Sequence, residues 1–167
     1  MHKIKSVVIC IALVFFAQTG STQVKNQPLT AQSFHGEILV NASPMQVWKV
    51  LTNTKNLLEI MGYEYRSGAQ TMARPGDATN VKVWGDESRF TLIRANPASE
   101  LRFNLDPANG SYICNCRWKL TKSANGTKVW FEERYTESAP QSSAELQAQV
   151  KETNEMLQRM KRKAEQK

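Results

Sequence analysis

Residues 36–53 read GEILVNASPMQVWKVLTN and place a strand directly before a helix. Apolar and polar residues alternate through the first part, which predicts a half-buried strand that starts at Phe34. Its inward-facing residues are Phe34, Gly36, Ile38 and Val40. Ser43 fits a helix N-cap, with Pro44 at the first helical position and Gln46 completing a capping box. The segment therefore predicts one strand and one short helix.

A second short helical segment, Lys55 to Ile60, comes before a long region in which apolar and polar residues alternate. Clusters of Gly, Pro, Asn and Asp interrupt this region at intervals typical of hairpin turns. They divide it into six predicted strands, which are Gly62–Gln70, Ala78–Trp84, Glu87–Ala95, Glu100–Leu105, Ser111–Lys122 and Thr127–Glu137. Tight turns favour antiparallel pairing, so with the first strand we expect a seven-stranded antiparallel sheet.

A long helix is predicted for the last part of the chain. Ser142 and Glu145 match a capping box, and the helix should run from Ser143 to about Glu165. Its single apolar stripe consists of Leu146, Val150, Thr153, Leu157, Met160 and Ala164. The stripe spans about two and a half heptads, fewer than a coiled coil requires, so we expect the helix to pack on the sheet. A dimeric coiled-coil seam is the alternative, and a monomer is favoured.

The amino-terminal residues have the pattern of a secretory signal peptide. Lys3 and Lys5 precede an apolar run of about ten residues, and small polar residues follow it. A membrane-spanning helix needs about 18 apolar residues, so the run is too short to be one. We expect residues 1–21 to be the signal peptide, residues 22–33 a linker and residues 34–167 one folded domain. The protein would then be periplasmic or secreted, with an uncleaved amino-terminal anchor as the alternative.

The charge balance argues against a nucleic-acid partner. The chain has 22 Lys and Arg against 15 Asp and Glu, a net charge of +7, and loss of the signal peptide lowers it by two. The basic residues are dispersed, and an exported protein seldom meets nucleic acid. The densest basic group lies in the last turns of the long helix, where cations complement the helix dipole. Peripheral contact with an anionic membrane surface is the alternative for that group.

Histidine and cysteine are scarce in the predicted mature chain, which keeps only His35, Cys114 and Cys116. The sequence also lacks phosphate-loop, dinucleotide-binding, zinc-protease and nucleophile-elbow motifs. A zinc site built from these residues would have three ligands at unusual spacing, and His35 is predicted to face outward. We therefore expect no metal and no cofactor. Two buried free thiols are favoured for Cys114 and Cys116, with a strained disulfide as the alternative.

The segment Gly36–Asn53 resembles the opening of proteins in the START and birch-pollen-allergen superfamily, also called SRPBCC or the polyketide cyclase/dehydrase and lipid-transport family. The later landmarks that are similar are Pro75-Gly76-Asp77, Arg94-Ala95-Asn96-Pro97 with Leu101-Arg102-Phe103, and GTKVWFEE from Gly126 to Glu133. The resemblance covers about residues 35–165. It implies an α+β helix-grip fold, in which a curved seven-stranded antiparallel sheet wraps around a long C-terminal helix and two short helices follow the first strand. It also implies an apolar cavity between sheet and helix.

Residues on the predicted inner face are candidates to line that cavity. They are Arg94, Phe103, Tyr112, Cys114, Cys116, Trp118, Phe131, Glu133, Tyr135 and, on the helix, Leu157. Alternation turns the charges of Arg94 and Glu133 inward, where each needs a partner or a ligand. A fully packed core explains the apolar candidates equally well.

The first functional hypothesis is an exported binding protein for a lipid or other hydrophobic small molecule, held between sheet and helix. A cyclase or hydratase is the second, in which Glu133, Tyr112, Tyr135 and Arg94 would transfer protons and position the substrate. The third is a noncatalytic module that binds a protein or a membrane surface. The enzyme is disfavoured because the one remaining histidine is predicted to face outward.

Overall fold

The structure is a computed structural model that describes residues 30–137 and 142–166. Its elements, in chain order, are β1 (Thr30–Val40), α1 (Pro44–Thr52), α2 (Thr54–Met61), β2 (Glu64–Gly68), β3 (Ala78–Val83), β4 (Asp86–Asn96), β5 (Glu100–Pro107), β6 (Ile113–Ser123), β7 (Gly126–Glu137) and α3 (Ser143–Glu165). The predicted order of strands and helices is confirmed. The predicted signal peptide lies outside the described residues. The linker was predicted to span residues 22–33. β1 begins at Thr30, so residues 30–33 belong to this strand instead.

The seven strands form one antiparallel sheet in the order β1-β7-β6-β5-β4-β3-β2. From β2 to β7 each strand pairs with its neighbour in sequence, as the predicted hairpins require. β1 pairs with the last strand, so that Val40 lies opposite Thr127 and Thr30 lies opposite Glu137. Buried and exposed positions alternate along β5 and β6, because one face of the sheet packs inward and the other meets solvent.

Capping residues fix the ends of the helices. The Ser43 hydroxyl accepts a hydrogen bond from the backbone N–H of Gln46, whose side chain accepts one from the Ser43 N–H. Ser142 and Glu145 make the same reciprocal pair at the start of α3. Both predicted capping boxes are therefore confirmed. Within the described part of the chain, no helix combines the length and apolar character needed to cross a membrane.

The core lies between the sheet, the two short helices and the carboxy-terminal half of α3. On α3, Leu157 and Met160 are at most 2 % exposed. β1 approaches this part of the helix closely at Gly36, where an added Cβ would lie 2.7 Å from Leu157 Cδ1. The largest side chains buried in this region include Trp118, Phe90, Phe103, Phe131, Leu51, Leu57 and Ile60. Close packing of these groups supplies the main stabilisation of the fold.

The amino-terminal half of α3 differs from the predicted stripe. Leu146 and Val150 are 37 % and 52 % exposed, although their spacing predicts that they pack. Gln149 of this half reaches the sheet and donates a hydrogen bond to Glu133 of β7, and a cavity lies beside this contact. The stripe prediction is thus right from Thr153 onward and wrong before it, because spacing gives the direction of a side chain but not whether a partner lies there.

Arg94 does not point inward, so that prediction is wrong. A β-bulge between Leu92 and Arg94 shifts the register of β4 against β5. The extra residue reverses the faces that follow it, so Ala95 packs against the core and Arg94 lies on the outer face. There the Arg94 Nε atom is 3.9 Å from Glu100 Oε2, and the side chain is 53 % exposed.

Candidate functional site

A cavity of about 420 Å³ lies between the sheet and the amino-terminal half of α3. The strands β6 and β7 form its floor, the β3–β4 turn forms a wall, and α3 covers it. The lining residues are Trp84, Tyr112, Cys114, Glu133, Tyr135, Glu145, Ala148, Gln149 and Glu152. The volume falls in the range of about 300–1,000 Å³ that is usual for small-molecule sites.

The structure separates the ten predicted candidates into three groups. Those that line the cavity are Tyr112, Cys114, Glu133 and Tyr135. Those buried in the core beside it are Phe103, Cys116, Trp118, Phe131 and Leu157. Arg94, as described above, lies on the outer face of the sheet. The open cavity and the packed core, considered as alternatives from sequence, therefore each describe one part of the interior.

Glu133 brings a carboxyl group into the cavity and is only 5 % exposed. The Cys114 thiol donates to its Oε1 atom at 3.1 Å, and Gln149 Nε2 donates to its Oε2 atom at 3.2 Å. Burial raises the pKa of the Glu133 carboxyl, and the nearby charge of Glu152 acts in the same direction, while the two hydrogen bonds oppose them. Glu133 therefore holds its proton more readily than an exposed glutamate.

Cys114 and Cys116 are both buried free thiols, as favoured from the sequence. Their Sγ atoms are 3.8 Å apart, far beyond a disulfide bond of about 2.05 Å. The hydrogen bond with Cys116, followed by burial, raises the pKa of the Cys114 thiol well above its usual value. His35 is exposed and its ring stacks on Trp130 with centroids 6.5 Å apart, so it lies on the outer face as predicted.

Three aromatic rings, those of Trp84, Tyr112 and Tyr135, line the cavity. Trp84 is 60 % exposed, and its ring centroid lies 5.9 Å from that of Tyr112. Tyr135 stacks on Phe34, with centroids 5.7 Å apart. The backbone of Trp84 has a φ of 51°, a left-handed conformation that costs a non-glycine residue about 1–2 kcal/mol. A strained turn therefore holds a large, half-exposed aromatic ring beside the cavity.

The turn and the helix contribute residues to the site that the sequence did not predict. Trp84 looked like the end of a strand, and its place before the turn residue Gly85 was the only signal. The missed helix residues are Glu145, Ala148, Gln149 and Glu152. They recur at three- and four-residue spacings beside the apolar stripe, and so share one helix face. Their polar character made that face look like a solvated one.

Comparison with solved structures finds the same fold in other proteins. A protein of unknown function from Staphylococcus aureus, SA2116, aligns with a TM-score of 0.66 at 12 % identity, over 84 % of this chain and 97 % of that one. Protein MLL2253 from Mesorhizobium loti aligns with a TM-score of 0.62 at 14 % identity, over 79 % and 96 %. Ara h 8.0201 aligns with a TM-score of 0.61 at 11 % identity, over 81 % and 98 %.

Neither a protein-family model nor a curated protein matches the sequence. At these low identities the structural likeness establishes the fold and nothing further. The chain thus has the helix-grip fold that its resemblance to the START and birch-pollen-allergen superfamily predicts, with a curved seven-stranded antiparallel sheet and a long C-terminal helix.

Proposed function

We propose that the protein binds a lipid or another hydrophobic small molecule in the cavity between β6, β7 and α3. The observation that carries this proposal is an interior volume of about 420 Å³ next to a closely packed core. The side chains that line the cavity face solvent rather than protein atoms, and a bound apolar group would supply dispersion contacts on that side. Removal of apolar surface from water contributes about 25 cal/mol per Å² to such binding.

The lining favours a ligand with a neutral polar end. The rings of Trp84, Tyr112 and Tyr135 offer apolar contact. The carboxyl of Glu133, when protonated, donates a hydrogen bond and suits a hydroxyl or carbonyl oxygen on the ligand. Two further acidic residues, Glu145 and Glu152, line the cavity, so a carboxylate ligand would meet like charge. We therefore propose that the ligand is a fatty alcohol or a similar neutral amphiphile rather than a fatty acid.

Native mass spectrometry of the full-length protein with 1-dodecanol or dodecanoate tests this proposal. We expect one bound dodecanol per chain and weaker binding of dodecanoate. Ala148→Trp should weaken dodecanol binding about tenfold or more, because the larger side chain occupies the cavity. Ala144→Trp is the matched control, since Ala144 is an exposed residue of the same helix outside the lining. Equal binding by the two variants, or none by the parent, would contradict the proposal.

The position of Arg94 weakens the cyclase or hydratase hypothesis. That hypothesis needs a cation near Glu133 to position a substrate or stabilise developing negative charge. Arg94, the residue assigned that role, instead faces Glu100 on the outer sheet face. Glu133, Tyr112 and Tyr135 remain at the cavity, which suits binding and gives no specific support to catalysis.

We also propose export to the periplasm or the cell exterior, supported by the basic and apolar pattern of residues 1–21. Expression of the full-length sequence in a bacterium, followed by amino-terminal sequencing of the exported fraction, tests it. We expect a chain that lacks about the first 21 residues. Recovery of the intact chain from the cytoplasm alone would contradict export.

A further inference from the structure

We propose that Cys114, Cys116 and Glu133 form a binding site for a thiophilic divalent metal ion such as Zn²⁺. Their two sulfur atoms and one carboxylate oxygen all lie within 4.8 Å of one another. All three residues are at least nine-tenths buried. The proposal goes beyond small-molecule binding and departs from the expectation, drawn from sequence, that the protein holds no metal.

The distances fit tetrahedral coordination. Zn–S bonds of about 2.3 Å at the tetrahedral angle place two sulfur atoms about 3.8 Å apart. The Cys114 and Cys116 Sγ atoms are 3.8 Å apart. A Zn–O bond of about 2.0–2.2 Å would place the carboxylate oxygen about 3.5 Å from each sulfur. Glu133 Oε1 lies 3.1 Å from Cys114 Sγ, and a Glu133 carboxylate oxygen lies within 4.8 Å of both sulfur atoms.

The sheet holds the three ligands in place. Alternation along β6 turns Cys114 and Cys116 to the same face. Glu133 of β7 is the direct cross-strand partner of Cys116. Strand pairing therefore brings a carboxylate to a Cys-x-Cys pair that, in sequence, lacks a third ligand nearby. His35, the residue considered for that role, lies on the opposite face of the sheet.

Neighbouring groups orient the ligands and leave a position open. Gln149 donates to Glu133 Oε2, which leaves Oε1 directed at the thiols. The Tyr63 hydroxyl hydrogen-bonds to Cys116 and helps to fix the position of its sulfur. Cys114 and Glu133 also line the cavity, so a fourth ligand, water or a bound molecule, would enter from that side. Three protein ligands with an open position are typical of reactive zinc sites.

Charge favours a divalent over a monovalent ion. Two thiolates and a carboxylate carry three negative charges, and a divalent cation leaves one of them uncompensated. A monovalent cation would leave two, which is more costly in an apolar interior. Binding releases the thiol protons, so the ion replaces hydrogen bonds that the free site makes internally.

A cadmium titration of the reduced, metal-free full-length protein tests the site, because thiolate-to-Cd²⁺ charge transfer absorbs in the ultraviolet. We expect one Cd²⁺ per chain, displaced by excess Zn²⁺. Cys114→Ser and Cys116→Ser should each lose the band, and Glu133→Gln should bind about tenfold or more weakly. Glu155→Gln supplies the matched control for Glu133→Gln, since it removes a carboxylate on the exposed side of α3 and should leave the titration unchanged.

Alanine variants of Cys114 and Cys116 are measured in parallel, because a buried hydroxyl can destabilise a core. Zn²⁺ should raise the Tm of the parent and of Glu155→Gln but not that of the alanine variants. The absence of a stoichiometric band in the parent would overturn the proposal. So would a band that survives in the double variant Cys114→Ala/Cys116→Ala or that disappears in Glu155→Gln.

Discussion

The two halves of α3 lie over the same sheet but contact it differently. In the carboxy-terminal half, Leu157 and Met160 are at most 2 % exposed, and β1 approaches closely at Gly36. In the amino-terminal half, Leu146 and Val150 stay exposed, and other residues of this half line a cavity. One helix thus stabilises the fold at one end and leaves room for a ligand at the other. Substitutions at the two ends should therefore differ in the size and kind of their effects.

Leu157→Ala should have the largest effect, because it removes buried side-chain volume at the packed end. We expect the free energy of unfolding to fall by about 2–5 kcal/mol. Urea denaturation followed by circular dichroism measures this change. Leu146→Ala, in the amino-terminal half of α3, is the control and should change the free energy of unfolding by less than about 0.5 kcal/mol. Similar losses in both variants would remove the distinction between the two halves.

Gly36→Ala should destabilise the packed end by about 1–3 kcal/mol, because the added methyl group would overlap Leu157. The effect should shrink in a Leu157→Ala background, where the overlapping atoms are gone. A double-mutant cycle of unfolding free energies measures this coupling. Strictly additive effects would show that the methyl group added at Gly36 does not clash with Leu157.

Glu133→Gln should stabilise the metal-free protein at neutral pH, by an amount that depends on pH. The pKa of Glu133 is raised in the folded state, so the folded protein binds this proton more tightly than the unfolded chain. The stability of the parent therefore falls as the pH rises from the ordinary value of 4.5 to the raised pKa, and then levels off. Glutamine does not titrate, so the stability of the variant does not fall over this pH range.

The measurement is the Tm of parent and Glu133→Gln from acid to neutral pH. The two curves should converge near and below pH 4.5 and separate above it. Glu155→Gln is the control for a lost charge on the exposed side of α3. A variant that is less stable than the parent at neutral pH would show that the ionised carboxylate stabilises the open end.

Val150→Ser should have the smallest effect, within about 0.5 kcal/mol, because this side chain is already 52 % exposed. Unfolding at several protein concentrations, together with sedimentation equilibrium, checks it. A larger loss that depends on concentration would instead support the dimeric coiled-coil seam as the partner of this half of α3.

The fold was predictable where local rules determine the structure. Ser43 and Ser142 each begin a helix through a capping box that is visible in sequence. Hairpin turns between short alternating segments fix the order of six strands. The register prediction holds for Glu133 because β7 pairs with β6 without interruption. These features depend on neighbours within a few residues or on unbroken alternation.

The site was less predictable, because it depends on an irregularity and on an unfilled volume. One extra residue at the bulge after Leu92 turned Arg94 outward, and nothing in the composition of β4 signals it. Inclusion of Gln149 in the cavity depends on how far the sheet lies from the helix. Side-chain spacing contains no information about that distance.

The place of β1 at the edge of the sheet bears on how the protein folds. Strands β2 to β7 can assemble as successive hairpins between neighbours in sequence, whereas β1 pairs with β7, near the other end of the chain. Such a long-range pairing loses chain entropy before its contacts form, so it forms slowly. Gly36 of β1 also contacts Leu157 of α3. We therefore expect the first strand of the fold to be the last to dock, completing the sheet and closing it on its helix in one late step.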